Sequence, residues 1–315
     1  KPLGGLARKA TIIDNLRAEG FDVLVLDAGN LFFKAATIPD AINLEISQIN
    51  AEIILESFNS MGCNAFSPGS FDFAAGLSYL QKLEKMSNFP FVSCNILDND
   101  NNLLFKPYVI EKVENYNVAF IGLASSFDSE NVVVGDQIEY LLKVLQDLEG
   151  KSDFNVLLFN SNDSDLSTIY NQKFNVDLII RSKDKKRSSD GGSQIPTFSL
   201  GDRGKIIYQF DINVKDLNEE LVDLAWCENT IKRVESRLEK MKKGDLLIDL
   251  RELYKDNQAT LRRIDSYENQ LLLANQKIEN VVNSLTFDKI ELSKTIADRI
   301  DILKIVDEGK VKLNS

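Results

Sequence analysis

Short apolar runs, each bracketed by a segment of helical spacing, recur through the first two-thirds of the chain and leave little choice of fold. The runs fall at 21–27 (FDVLVLD), 63–68 (CNAFSP), 89–95 (FPFVSCN), 118–124 (VAFIGLA), 154–159 (FNVLLF) and 176–181 (VDLIIR). A nearly continuous apolar run of this length is the mark of a strand covered on both faces. Between them, residues 6–18, 45–61, 75–86, 135–148 and 164–172 carry apolar side chains at helical intervals, Gly20 closing the first. A hairpin is expected over 104–124, and further strands near 196–199 and 205–214. Repeated strand–helix units predict an α/β layered fold with a largely parallel sheet.

From about Asp216 the texture changes. Glycine nearly vanishes and apolar residues settle into a 3–4 spacing. One seam runs Leu224, Cys227, Ile231, Val234, Leu238, Met241. Lys242-Lys243-Gly244-Asp245 then reads as a join between helices: basic last turn, glycine after it, aspartate to cap the next. A second seam runs Leu250, Tyr254, Asn257, Leu261, Ile264, Leu271, Ile278, Val282, Leu285, with polar Asn257, Glu268 and Asn275 along it. The pattern predicts an antiparallel coiled-coil hairpin whose longer arm reaches on the order of 60 Å, followed by a last amphipathic helix over 286–305. Two domains are expected, 1–215 and 216–315. The candidate partner-binding residues are Ile231, Val234, Leu238, Met241, Leu261, Ile264, Leu271 and Ile278, offering a protein partner or a second copy a helical seam.

The chain has 315 residues, a formal net charge of -11 and no histidine. Without histidine there is no Ser-His-Asp or Cys-His catalysis, no imidazole base and no His-ligated zinc, iron or haem. The acidic balance disfavours nucleic acid as a partner. No apolar run is long enough for a membrane span. Three cysteines are too few for a disulfide framework. They read as small buried hydrophobes, with a Cys63–Cys94 bridge left open.

Four segments carry a resemblance: GGLARKATIIDNLRAE (4–19), VLVLDAGNLFF (23–33), NAFSPGSFDFAAG (64–76) and FPFVSCNILD (89–98). VAFIGLAS, FNVLLFNSNDSDL and VDLIIRSKDKK add weaker matches. In this order the chain resembles the 5′-nucleotidase branch of the calcineurin-like metallophosphoesterases over about residues 4–214. The resemblance implies a layered α/β/β/α domain with two divalent metals about 3.5–4 Å apart, clamping a phosphoryl group and activating a water.

The family's site residues can be carried over one by one. Its opening D-x-H strand is expected upstream of Lys1. Where the family has D-A-G-D, this chain has Asp27 to Asn30, and a neutral amide cannot bridge two cations as a carboxylate does. The Asn and His of G-N-H-E are Ser70 and Phe71, with acidic Asp72 next. The Asn of S-A-N is Asn95. The metal-binding His of the following strand falls at Ser161, and the G-H-x-H pair falls at Lys183 and Lys185, which would repel a dication. These positions read as a vestigial site with no catalytic residue, no metal and no cofactor. Asp27 is expected to cap a helix or fix a turn. An oxygen-only Mg²⁺ or Ca²⁺ site from Asp72, Asn95 and Asp163 is the alternative. Lys183, Lys185, Lys186 and Arg187 read either as a solvated loop or as an anion-binding patch.

The leading expectation is thus a pseudoenzyme serving as scaffold or docking protein. The alternatives are a metal-dependent 5′-nucleotidase or phosphomonoester hydrolase, and a binding module for an acidic or multihaem redox partner. Residues 285–315 resemble the tail of bacterial metallophosphatase-like proteins with a coiled-coil insertion. Without C-x-x-C-H, this chain binds no haem itself. The resemblance implies a periplasmic or extracellular location.

Overall fold

The computed structural model describes residues 5–182, 188–190, 195–201, 204–245 and 247–314. The chain divides into two compact units, one of residues 1–188, 197–208 and 289–315, the other of 189–196 and 209–288.

In the first unit the strands are β1 (Leu26–Asp27), β2 (Ala65–Phe66), β3 (Ile96–Leu97), β4 (Tyr108–Val113), β5 (Tyr116–Ala124), β6 (Val133–Val134), β7 (Phe154–Asn160) and β8 (Leu178–Ser182). β5, β7 and β8 run parallel, with Thr197–Ser199 parallel beyond β8 and β4 antiparallel outside β5. β7 is buried along its whole length, which explains its unbroken apolar run. The register aligns Ala124 with Asn160 and Asn160 with Ser182, so three strands end level at their carboxyl edge.

The strands expected over 21–27, 63–68 and 89–95 are shorter than their apolar runs. Only Leu26–Asp27 pairs with Ala65–Phe66. Single bridges join Phe66 to Phe91 and Val92 to Lys106. The Val25 amide donates to the side chain of Asn64 at 2.8 Å instead of to a neighbouring strand, which cuts the ladder short. These runs are apolar because they feed the core: Phe32, Phe66 and Phe91 interlock there with centroids 4.7–6.1 Å apart.

The helices follow their sequence signals closely. α1 spans Leu6–Ala18. α2 spans Leu44–Met61, begun by the Asn43 side chain accepting from the Glu45 amide and ended by Gly62 at φ 70°. α3 spans Leu77–Met86, α4 Gln137–Leu148 and α5 Asp163–Asn171, the last two capped by Asp136 and Asn162.

The expected border at 215/216 is corrected by the last segment. Residues from Lys289 belong to the first unit. Residues 283–291 form a strand, and the final helix, α9, runs Ile300–Asn314 instead of 286–305. The reason is visible in NSLTFDKIE, where Asn283 and Leu285 point inward and Thr286 outward, an alternation of two. α9 packs on α1 and α2. Arg299 fastens its start, donating to Asp14 at 3.0 and 3.1 Å and to the Ser60 carbonyl at 2.9 Å.

The second unit holds α6 (Leu224–Met241), α7 (Leu250–Leu253) and α8 (Gln258–Glu279). α6 packs against α8. The continuous second helix expected over 250–285 is broken. Asp249 and Asn257, not Asp245, supply the helix caps, and each ends the reach of the preceding turn. Val234, Ile264 and Ala274 are fully buried, while Ile231, Leu238, Met241, Leu261, Leu271 and Ile278 are half-buried. Asn257, Glu268 and Asn275 are exposed, so they lie off the seam on which the sequence spacing put them. Strand Leu221–Asp223 lies parallel to Asn283–Leu285, and the Asn283 side chain donates to the carbonyls of Asp216 and Glu219 at 2.6 and 2.7 Å.

Candidate functional site

The described positions that the resemblance equates with metal ligands gather where β1, β2, β5 and β7 end. That is where open α/β sheets place their sites. Here their polar atoms are turned onto the protein itself.

Asp72 sits in a single 3₁₀ turn, Ser70–Phe73, and is almost fully buried. One carboxyl oxygen accepts from the amides of Leu31 and Phe32 at 2.8 and 2.9 Å. The other accepts from the amides of Asn30 and Gly69 at 2.7 and 2.8 Å. Four backbone donors thus converge on one carboxyl and tie the loop after β1 to the loop after β2. Burial pushes this carboxyl up to about 7, against the pull of those amides. Asn30 occupies the left-handed region at φ 59°, which asparagine tolerates better than most residues. Its Oδ1 accepts from the Phe71 amide at 2.9 Å.

Asp27 accepts from the Gly29 amide at 2.9 Å, fixing the turn out of β1. Its carboxyl is also raised by burial, with Lys9 opposing. Gly29, at φ 105°, and Gly69 are required by space. A Cβ on Gly29 would lie 2.5 Å from the Ser67 carbonyl. One on Gly69 would lie 2.4 Å from Asn160 Nδ2 and 2.6 Å from Asn30 Oδ1.

Asn95 is completely buried, its amide bonded to the backbone through both nitrogen and oxygen. Nδ2 donates to the carbonyls of Ala124 and Gly135 at 2.8 and 3.0 Å, and Oδ1 accepts from the Ala124 amide at 3.0 Å. Ser161 accepts from Arg181 Nε at 2.8 Å through Oγ and from Arg181 Nη2 at 3.1 Å through its carbonyl. The same guanidinium pairs with Asp163 at 2.5 Å. A guanidinium on Ser161 repels a dication.

The described residues at these positions therefore do not fit two divalent cations. Each member of the oxygen-only site expected from Asp72, Asn95 and Asp163 already has partners within the protein. Both oxygens of Asp72 are taken by four amides, Asn95 Oδ1 accepts the Ala124 amide, and Asp163, 89% exposed, is paired with Arg181. Among the described residues, no group of three or more His, Cys, Asp or Glu could hold a metal. Lys183, Lys185, Lys186 and Arg187 lie outside the described residues. Cys63 and Cys94 are separate buried thiols, each pushed up to about 12 by loss of water, not a bridge.

Asn160, Arg181 and Ser182 escape the sequence reading. Asn160 Oδ1 accepts from the Ser70 amide at 3.3 Å, its Nδ2 donates to Ser182 Oγ at 2.7 Å, and Ser182 Oγ donates to the Ala28 carbonyl at 2.5 Å. The available signal is a polar residue ending each buried parallel strand, Asn160 after VLLF and Arg181-Ser182 after LII.

No family model matches the chain. By sequence it is similar to Protein UshA of Escherichia coli (strain K12), 32% identical over 126 residues, covering 38% of this chain and 22% of UshA. It is likewise 34% identical over 125 residues to the snake venom 5′-nucleotidase of Gloydius brevicauda, covering 38% of this chain and 20% of that protein. The chain thus spans about a fifth of the length of the curated relatives it matches. Among solved structures it resembles the 5′-nucleotidase precursor from Thermus thermophilus, with a TM-score of 0.57, 20% identity, and coverage of 70% of this chain and 47% of that one. It also resembles the calcineurin-like phosphoesterase YfkN from Bacillus subtilis, with a TM-score of 0.56, 20% identity, and coverage of 69% and 78%. The fold is that of the calcineurin-like phosphoesterases. Over 125–126 residues the sequence is similar to those of 5′-nucleotidases.

Proposed function

We propose that this chain is a non-catalytic protein on a phosphoesterase fold, a scaffold that docks a protein partner or a second copy through its helical unit. The observation that carries this reading is the saturation of Asp72, whose two oxygens accept four backbone amides. A carboxyl so occupied cannot also bind a cation or take up a substrate proton without releasing the loops it holds. The docking role draws support from the half-buried apolar side chains of α6 and α8, chiefly Ile231, Leu238, Leu261 and Leu271, whose coiled-coil spacing suits a further helix.

We read the chain as periplasmic or extracellular, a reading supported by its similarity to a snake-venom protein. No helix among the described residues is long and apolar enough to cross a membrane.

The kinship itself favours a second reading, a 5′-nucleotidase or phosphomonoester hydrolase. One experiment separates the two. The purified chain is assayed for bound metal and for hydrolysis of p-nitrophenyl phosphate and nucleoside 5′-monophosphates with Mn²⁺ or Mg²⁺. The scaffold reading expects no stoichiometric metal and no turnover above the uncatalysed rate. Two tightly bound metals per chain with turnover would end it.

A further inference from the structure

We propose that the strand ends of the first unit are held by a protein-only latch in the place where the fold's relatives use a metal clamp. In this latch Asn160 is the central tie and Arg181 the resident cation. The inference rests on the non-catalytic reading but goes past it, since loss of a metal site does not by itself require that anything replace it.

Five chain segments converge at this edge: the turn after β1, the 3₁₀ turn after β2, and the ends of β5, β7 and β8. Segments that carry metal ligands are normally tied to one another through the cation. In this chain side chains tie four of the five, and the end of β5 is joined to β7 by the Ser125 amide donating to the Asn160 carbonyl at 2.8 Å. Asp72 joins the first segment to the second through four amides. Asn30 adds the Phe71 amide. Asn160 at the end of β7 joins the second segment, through the Ser70 amide, to the end of β8, through Ser182. Ser182 closes the ring onto the Ala28 carbonyl in the first segment. The ring therefore closes through the chain: the 28–32 turn, Asp72, Ser70, Asn160, Ser182 and back to Ala28 in that turn.

Two features show that the latch is built rather than incidental. Asn160 is wholly buried, so its amide would carry a desolvation cost if these bonds were absent. The approach is also tight enough that a Cβ on Gly69 would collide with both Asn160 and Asn30. Beside the ring, Arg181 is 8% exposed and spends its guanidinium on Ser161 Oγ, the Ser161 carbonyl and Asp163. It thereby sets a fixed positive charge on the position aligned with a metal-binding imidazole.

The test is the thermal stability of the whole chain, for the wild type, Asn160→Ala and Ser182→Ala, each in EDTA and in excess Mn²⁺. The wild-type midpoint is expected to be the same in both. Asn160→Ala strands the Ser70 amide and removes the donor to Ser182 Oγ, and should lower the midpoint by roughly 5–10 °C, with no recovery in Mn²⁺. Ser182→Ala should lower it by roughly 3–5 °C.

If Asn160→Ala does not fold, hydrogen exchange in Ser182→Ala decides. The Ser70 amide should exchange at least tenfold faster than in the wild type, since Asn160 loses the partner that orients it. A wild-type midpoint that falls in EDTA, or variants rescued by Mn²⁺, would overturn the latch, and with bound metal and turnover would overturn the non-catalytic reading as well. Variants indistinguishable from the wild type, in a chain free of metal, would overturn the latch alone.

Discussion

The strand-end region of the first unit and the helical pair of the second are both rich in polar side chains, yet they use them in opposite ways. At the strand ends, Asp72, Asn95 and Asn160 are buried and each makes several internal bonds. On α6 and α8 the polar groups are exposed, and only Val234, Ile264, Ala274 and the nearby Cys227 and Thr230 are fully covered. The first arrangement is rigid because each buried donor lacks an alternative partner. The second has a thin apolar seam and solvent on most sides, the condition for low local stability. Polarity alone thus says nothing about function. What distinguishes the two regions is whether water could replace the bonds.

The sharpest way to break this contrast is to attack the apolar core beneath the strand ends. Phe66 is fully buried between Phe32 and Phe91. Phe66→Ala should cost about 3–5 kcal/mol in denaturant unfolding. A markedly smaller loss would mean that the polar bonds, not the aromatic cluster, hold this unit.

Buried carboxyls give a second, pH-dependent handle. Asp72 is raised to about 7, and Asp27 is also raised. A carboxyl that holds its proton more tightly when folded makes the folded state bind more protons than the unfolded one between the two pKa values. Stability therefore falls as pH rises from about 4 to about 7, by up to a few kcal/mol. Melting midpoints measured across that range should decline, and Asp72→Asn should flatten the decline. A rise with pH would show that the four amides outweigh burial.

In the helical unit, Ile264 is the buried residue at the middle of α8. Ile264→Ala should cost about 2–4 kcal/mol in that unit. Hydrogen exchange should show faster opening of α6 and α8 with β5 and β7 unchanged. Loss of protection in both places would mean that the two units unfold as one.

How much of this is legible in the sequence follows the same physical division. α1 and α2 are readable almost to the residue, because Gly62 and the apolar spacing declare themselves locally. The strand over 283–291 is missed because helical spacing fits its apolar residues, although its inward residues alternate. The break between α7 and α8 is missed because apolar residues at 3–4 intervals run through Asn257, whose capping role depends on a bond that spacing does not reveal. At the strand ends the sequence marks Asn30, Ser70 and Phe71 as places where ligands have changed and Asn95 as one that is kept. It does not show that the replacements bond to one another. Asn160 and Ser182 stand one residue before the positions compared with the family pattern, and their partners, Ser70 and Ala28, are 90 and 154 residues away. Such ties are tertiary and leave no local trace.

The smallest expected effect tests the exposed side of the comparison. Arg251, at the start of α7, pairs with Asp265 at 2.7 Å and with Glu268 on α8. All three side chains are about half exposed. Water therefore competes for each partner, and salt screens the charges over about 10 Å at 0.1 M ionic strength. Arg251→Met keeps most of the aliphatic stem and removes only the charge. It should lower the unfolding midpoint only slightly, an effect that vanishes in about 1 M salt. A loss several times larger that persists in salt would show that water cannot replace the bonds of this ion cluster any more than those of the strand-end amides, and that the helical unit is held by its polar groups after all.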